Sequence, residues 1–346
     1  MRFAFDRLQR FVADVLIAID VLPDHAETTA QRLLEADMRG RNGHGLIRVP
    51  QYVTRIEAGG INLRPKITRR RESAVSALID GDNGLGQVVM TEATETAISK
   101  AEASGMAWVG TVNSNHAGAA GVYTSMALEH DLIAVYFAVA SANVMPPWGG
   151  RDRLLGTNPI SIAIPAGNET AFLLDIATTV TSHGTIAVLA QAGEHMPEGW
   201  VADLEGNPIL DPNLAKEGFL MPIGGYKGSG LNIAIGLLAG VLNGAAFGAE
   251  VFDHREVPGQ AANTGQSILA LRPDLFRDLD EFKVSMDDHL EALRASGPAG
   301  SVHLPGEAAA RLQEEQRIEG LPVPDVLLAQ LRELALRLNL HDRLDS

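Results

Sequence analysis

The chain contains no cysteine. That single absence excludes disulfide staples, thiolate metal sites and a cysteine nucleophile, and it fits a reducing cytoplasm. Positive charge is also scarce: 28 Lys and Arg stand against 43 Asp and Glu, a formal net charge of −15. Phosphate backbones are met by clustered cations, so no nucleic acid partner is expected. An anionic ligand must instead be met by a few locally placed arginines, lysines or helix N-termini. No leader-like apolar core occurs between Met1 and Leu22, which carries Asp6, Asp14 and Asp20. The longest apolar stretch, Leu231 to Gly248, is interrupted by Asn232 and Asn243 and carries Gly236, Gly240, Gly244 and Gly248 at intervals of four. In a bilayer such a stripe pairs helices. In this acidic chain it predicts a fully buried helix in close contact with a neighbour, in the core or at a dimer seam, and no membrane partner. Two nucleotide signatures are missing as well. No G-x-G-x-x-G follows a strand, no P-loop occurs, and Gly81, Gly84 and Gly86 have the wrong spacing for the dinucleotide fingerprint.

What is present is a chain of 346 residues, 46% hydrophobic and 21% charged, enough for a substantial core and too long for a single small one. Helical spacing marks Ala26–Met38, an extended pattern Ala74–Asp80, a helix Thr91–Ser104, a strand Met106–Val112, a helix Ala119–His130 and a strand Leu132–Ala138. That order of strand, helix and strand with short connections predicts a parallel sheet covered by helices. Further strands are expected at Ile160–Ile164, Ala171–Asp175 and Ser267–Leu271, and amphipathic helices at Glu307–Glu319 and Asp325–Leu338. The class is α/β. The expected division is a helical part over 1–75, a central α/β cofactor-binding part over 76–250 and a mostly helical part over 251–346.

Four short segments gather reactive residues in apolar surroundings. In Asn42 to Tyr52, Pro50 falls in the first turn of a helix, where its missing N–H costs little. Arg48 and Tyr52 then share a face with His44 at its entrance, a proton donor beside a carboxylate anchor. The segment Thr111 to Gly118, with Ser114, Asn115 and His116, lies between a strand and a helix, where α/β sheets bind ligands. Pro146 to Gly150, with Trp148, and Gly156 to Pro159 form a rigid loop. Gly224 to Gly230 places Lys227 among glycines at a helix start, a setting suited to a pyrophosphate or a carboxylate. Each also has a plainer reading, as a cap, a satisfied turn or a solvated lysine.

Together these segments resemble the type 2 malate/L-lactate dehydrogenase family, whose members include ureidoglycolate and sulfolactate dehydrogenases, diketogulonate reductase and cyclic ketimine reductases. The resemblance runs in order through His44-Gly45 with Arg48, Pro50 and Tyr52, Ser114-Asn115-His116, Pro147 to Gly150, Gly156 to Pro159 and Asp175 to Thr178. It continues through Pro197 to Trp200, Asp211-Pro212, Tyr226-Lys227-Gly228 and Pro305-Gly306-Glu307. It spans roughly residues 20 to 310. It implies a mixed-sheet α/β fold that is not Rossmann, a homodimer, and hydride transfer between NAD or NADP, with NAD favoured, and a small anionic 2-oxo or 2-hydroxy acid. By the resemblance the catalytic residues are His44, as proton donor, Arg48, His116 and Asp175, and the substrate contacts are Arg48, Tyr52 and Trp148. The cofactor wall comprises His116, Gly118, Thr157, Asp175, Ala177, Thr178, Thr179, Lys227, Gly228, Gly306 and Glu307. The chain departs from the family pattern at Gly43, where a serine is usual, at Thr179 and at His183.

One alternative on the same scaffold is reduction of cyclic 2-imino acids. A metal-dependent hydrolase using His44, His116, His183 and Asp175 is weakened by the absence of an H-x-x-x-H spacing, and no metal is expected. A non-catalytic binding protein is disfavoured by the joint presence of His44 and Arg48.

Overall fold

A computed structural model describes residues 1–340 and Leu344. The chain opens with β1 (Arg2–Phe3), α1 (Phe5–Ile17) and α2 (Pro23–Met38). In α1 the residues Leu8, Phe11, Val12, Val15 and Leu16 recur at helical spacing and are buried, so one stripe drives its docking. Proline sits in the first turn of α2, where its fixed φ suits a helix start. After α3 (Val49–Glu57) come β2 (Thr68–Glu72), β3 (Ser76–Asp80), α4 (Gly86–Ser104), β4 (Met106–Ser114), α5 (Ala120–Leu128) and β5 (Ile133–Ala138). Then follow β6 (Ile160–Ile164), β7 (Phe172–Ile176), α6 (His183–Ala192), β8 (Val201–Ala202), β9 (Phe219–Leu220) and α7 (Tyr226–Ala239). The chain closes with β10 (Thr264–Leu271), α8 (Leu279–Arg294), α9 (Glu307–Glu319), β11 (Leu321–Pro322) and α10 (Asp325–Arg337).

The main sheet has the order β2-β3-β4-β10-β5-β6-β7. Only β3 and β4 run parallel; every other neighbouring pair is antiparallel. The parallel sheet expected from local order is therefore corrected to a mixed one. β4 and β5 are not neighbours, because β10 arrives from far along the chain and inserts between them, antiparallel to both. The strand β2 was not foreseen. Its sequence, Thr-Arg-Arg-Arg-Glu, is exposed at every position and shows no apolar alternation; charge of this kind protects a sheet edge from pairing with another chain.

The helices α4 and α5 cover the face of the sheet lined by Val109, Ala134, Tyr136 and Ile268. Side chains alternate along a strand, so Ser267 faces the opposite side, where its hydroxyl donates to the carbonyl of Leu238 in α7. A second core joins α1, α2 and α3 to α10 through Leu8, Phe11, Leu33, Val53, Leu331 and Leu334.

The glycine stretch differs from expectation in two ways. The helix α7 ends at Ala239 and is followed by a single helical turn, Val241–Asn243. The four glycines thus do different jobs. A Cβ on Gly236 would lie 2.1 Å from the Phe247 ring, whereas Gly244 and Gly248 have φ of +72° and +61° with open space around them. The first is a packing glycine and the last two are turn glycines. Nor is the segment fully buried: Leu237, Leu238, Val241 and Leu242 are exposed.

Candidate active site

The chain leaves α2 through Gly40 and passes through two single helical turns, Asn42–His44 and Leu46–Arg48, before α3 begins with Pro50 in its first turn. A carboxylate from α2 clamps this passage. Asp37 accepts the Leu46 N–H at 2.7 Å. A Cβ on Gly45 would fall 2.1 Å from the same carboxyl, so the clamp needs glycine there. Burial raises the Asp37 carboxyl to about 7, against the opposing pull of that N–H.

The clamp points His44 at the end of β4. Its Nδ1 lies 3.3 Å from Nε2 of His116, and the two rings stack with centroids 5.4 Å apart. Behind His116, the Tyr52 hydroxyl lies 2.7 Å from Nδ1, and Gln87 at the start of α4 donates from Nε2 to the same phenol oxygen at 2.6 Å. Burial lowers His44 to about 4, helped by the cations Arg48 and Arg41. Burial likewise holds His116 well below the ordinary imidazole value, with Arg48, His44 and His254 adding to it. Both rings are therefore neutral near pH 7.

Arg48 spends part of its fork inside the protein: Nε donates to the Gly43 carbonyl at 2.6 Å and Nη1 to Gln51 at 2.9 Å. The Nη2 hydrogens and the second Nη1 hydrogen form the outer edge, the geometry that accepts a carboxylate in parallel. At position 43 only the carbonyl takes part, and a Cβ there would meet nothing within 4 Å. Asn115, next to His116, is fixed from three sides. Arg55 donates to its side chain at 2.9 Å, Gln266 of β10 donates to its carbonyl at 2.8 Å, and its own amide donates to Gly84 at 2.8 Å.

Asp175, at the end of β7, lies apart from the imidazoles and pairs with Arg41, whose charge is also felt at His44. The Arg41 guanidinium donates to the Asp175 carbonyl at 2.7 Å and lies 3.5 Å from its carboxylate. Asp175 also accepts the Gly121 N–H at 3.1 Å, and burial pushes its carboxyl upward. It lines a cavity of about 420 Å³ together with Arg39, Arg41, Gly121, Leu173, Pro305 and Gly306. Gly306 has φ +103° and a Cβ there would press within 3.0 Å of the β7 backbone. Two cations, one acceptor carboxylate and glycine-thinned apolar walls suit a phosphate and a ribose, so the residues fit part of a dinucleotide. Asp175, Arg41 and Gly306 would hold it.

The remaining sequence candidates fall in other places. Tyr52 is buried and its hydroxyl is spent on His116 and Gln87. Gly118 (φ +86°) lies against the His44 carbonyl, 3.5 Å from an added Cβ. The Thr157 carbonyl accepts from both the amide and the hydroxyl of Thr178, and that hydroxyl in turn accepts from Asn232. The Thr179 hydroxyl donates to the Thr181 carbonyl, and Ala177 is half-buried between β7 and this turn. Lys227 is exposed in the first turn of α7, and Gly228 is there because a Cβ would fall 1.8 Å from the Ile223 carbonyl. Trp148 is 57% exposed and its amide donates to Ser229, so its loop packs on the start of α7. The Glu307 carboxylate caps Leu304 and pairs with Arg294, which stiffens the Pro305 loop from outside. His183, at the start of α6, has a lowered pKa, from burial first and then nearby Arg255 and Arg153. No group of three or more His, Asp or Glu able to hold a metal occurs among the described residues.

Sequence reading missed Gln87, Asp37, Arg41 and His254. Gln87 alone left a trace, as one polar residue in the apolar run from Leu85 to Met90.

The site thus sets an imidazole pair beside an arginine fork on a mixed sheet. Comparison with known proteins defines the class. The family model described as malate/L-lactate dehydrogenase matches residues 3–332. L-sulfolactate dehydrogenase from Methanocaldococcus jannaschii is 37% identical over 97% of this chain and 98% of its own length. The structure of that sulfolactate dehydrogenase superposes with a TM-score of 0.90 and covers 98% of both chains. Ureidoglycolate dehydrogenase (NAD(+)) from Escherichia coli O157:H7 is 30% identical over 97% of this chain and 96% of its own. The structure of delta1-piperideine-2-carboxylate reductase from Pseudomonas syringae has a TM-score of 0.88 at 27% identity, over 97% of this chain and 100% of that one. The chain is an NAD(P)-dependent oxidoreductase. It belongs to the malate/L-lactate dehydrogenase family.

Proposed function

We propose that this enzyme interconverts a small anionic 2-oxo acid and its 2-hydroxy acid, with Arg48 as the carboxylate anchor and His44 as the proton-exchanging group. The observation that carries this reading is the Arg48 fork held four residues from an imidazole whose Nδ1 is already engaged, which leaves Nε2 as its reactive atom. The nicotinamide, when bound, supplies the hydride exchanged at C2. Arg48 fixes the carboxylate and so the position of the neighbouring carbon. His44 takes the hydroxyl proton during oxidation and returns it during reduction. Asp175, Arg41 and Gly306 hold the cofactor, and His116 backs His44.

The likeness to a piperideine carboxylate reductase supports a second reading, reduction of a cyclic 2-imino acid, which presents the same carboxylate beside a C=N bond. A panel of 2-oxo acids and cyclic imines, each with NADH and NADPH, separates the two. Oxidation of the reduced cofactor by 2-oxo acids is the expected result, with NADH the better donor. Turnover of imines alone shifts the assignment to the second reading, and no turnover of either class overturns both.

The functional unit is a homodimer, with the cytoplasm as its compartment. Support for the dimer comes from two neighbouring sets of apolar side chains. Ile133, Val135, Phe137, Ile160, Ile162 and Leu269, on the sheet face that α7 only partly covers, are half-buried. Beside them Leu237, Leu238, Val241 and Leu242 are exposed. Apolar area of this kind marks an association surface. Light scattering after gel filtration should give twice the 36.8 kDa chain mass; a single-chain mass at micromolar concentration would remove the dimer.

A further inference from the structure

We propose that Tyr52 and Gln87 are positioning residues that hold His116 with its proton on Nδ1, so that His116 accepts from His44 and leaves Nε2 of His44 as the site of proton exchange. This rests on the assignment of His44 above and adds the part of the site that sets its tautomer.

One phenol oxygen makes three contacts. Gln87 donates to Tyr52 Oη at 2.6 Å, His116 Nδ1 lies 2.7 Å from it, and the His116 carbonyl lies 3.4 Å from it. A phenol has one proton to give and two lone pairs to offer. The 2.7 Å contact admits either polarity; in the proposed one the phenol proton turns to the His116 carbonyl, and the two lone pairs take Gln87 and Nδ1–H of His116. His116 Nε2 is then bare and accepts from Nδ1–H of His44 across 3.3 Å. Neutral His44 consequently presents a bare Nε2, the state a general base needs for oxidising an alcohol, and becomes the acid by gaining a proton there. The opposite polarity would place the resting proton of His44 on Nε2, and donating it would leave an imidazolate.

A second observation concerns Gln87. It is fully buried in α4, its Oε1 has no hydrogen-bond partner, and its amide nitrogen bonds Tyr52. A buried carbonyl left unpaired calls for an explanation. Orientation of a phenol at the back of a histidine pair supplies one that packing does not. The charged and titratable groups facing the pair are Arg41 and Arg48 beside His44, and Arg48, Arg55 and His254 beside His116.

Nitrogen NMR of the full-length protein with ¹⁵N-labelled histidine tests this directly, with His44→Ala and His116→Gln used for assignment. The expected spectrum at pH 7.5 shows both imidazoles with Nδ1 protonated. In Tyr52→Phe the His116 signal moves toward the Nε2-protonated form, and kcat for hydroxy-acid oxidation falls by about 3- to 10-fold, the value of one hydrogen bond. Substrate KM and reduced-cofactor Kd stay within about twofold of the starting enzyme. Gln87→Met, which keeps the length and loses the donor, gives a smaller shift in the same direction. An Nε2-protonated His116 in the unaltered protein overturns the proposal. So does a fall in kcat in Tyr52→Phe with no tautomer change, or no effect of either substitution on both readouts. Because the tautomers are read without turnover, a His44→Ala enzyme that stayed active would remove the role of His44 while leaving this test readable.

Discussion

Replacing His44 by alanine lowers turnover by about 10²–10⁴-fold, the ordinary contribution of a positioned general acid or base, while the Kd for reduced cofactor stays nearly unchanged. The expectation follows from where the ring sits. His44 lies against His116 and feels the charge of Arg48, whereas the cavity proposed for the cofactor is lined by Asp175, Arg41 and Gly306 and does not include it. Turnover within a few-fold of the starting enzyme would sink the assignment. The pH dependence has a sign fixed by the same surroundings. Burial and two neighbouring cations lower His44 to about 4, so its neutral form is about nine-tenths populated at pH 5 and dominates further up to pH 8. In kcat/KM, which reports the free enzyme, oxidation of the hydroxy acid should be flat over that range as far as this group is concerned. Reduction needs the protonated form, whose population falls tenfold per unit above about pH 4, so reductive kcat/KM should fall with rising pH. A clear inflection near 6.5 in the oxidative profile would place the titrating group elsewhere.

The second large effect concerns the two cations that sequence reading divided between substrate and cofactor. Arg48→Lys keeps the charge and loses the planar fork. The Nε–H that reaches Gly43 and the Nη1–H that reaches Gln51 go with it, so the outer edge loses both its shape and its support. A raised substrate KM and a turnover lowered by one to two orders of magnitude are expected, about 1.4–2.8 kcal/mol of transition-state stabilisation, with cofactor Kd little changed. Lys227→Ala should do the reverse, weakening cofactor first, because Lys227 sits exposed in the first turn of α7 after two glycines with positive φ. Cofactor fluorescence without substrate decides between them. Equal weakening of cofactor by both substitutions would mean that the two cations serve one ligand.

Much of the site was legible because its chemistry is compressed into short segments. His44, Arg48 and Tyr52 lie within nine residues, on two single helical turns and the first turn of α3. His116 follows a strand that opens on an apolar run, Met106 to Val109, and its place after β4 brings it to His44. The strands β5 and β6 and the helix α10 were read within two residues at either end, the strands because every second residue is buried and α10 because Leu327, Leu328, Leu331 and Leu334 form one buried stripe. The spacing could not show which way Tyr52 faces. It reads as a substrate contact beside Arg48, yet in the fold its hydroxyl turns inward to a histidine 64 positions away and to Gln87. The strand β2 and the early start of α4 escaped because neither carries an apolar period.

The amino-acid sequence by itself determined the class of element in most segments, the acidic and cysteine-free chemistry, and the residues able to exchange a proton or grip a carboxylate. These are properties of side chains and of their neighbours within a few turns. Only the tertiary structure decided the sheet order, because β10 pairs with β4 and β5 across 128 to 165 residues, which leaves no local pattern. It also decided which nitrogen of each imidazole is engaged, because that depends on Tyr52, Gln87 and His116 meeting from three separate elements. Low imidazole pKa values have the same origin: burial is a property of the assembled chain, and no spacing in the sequence carries it.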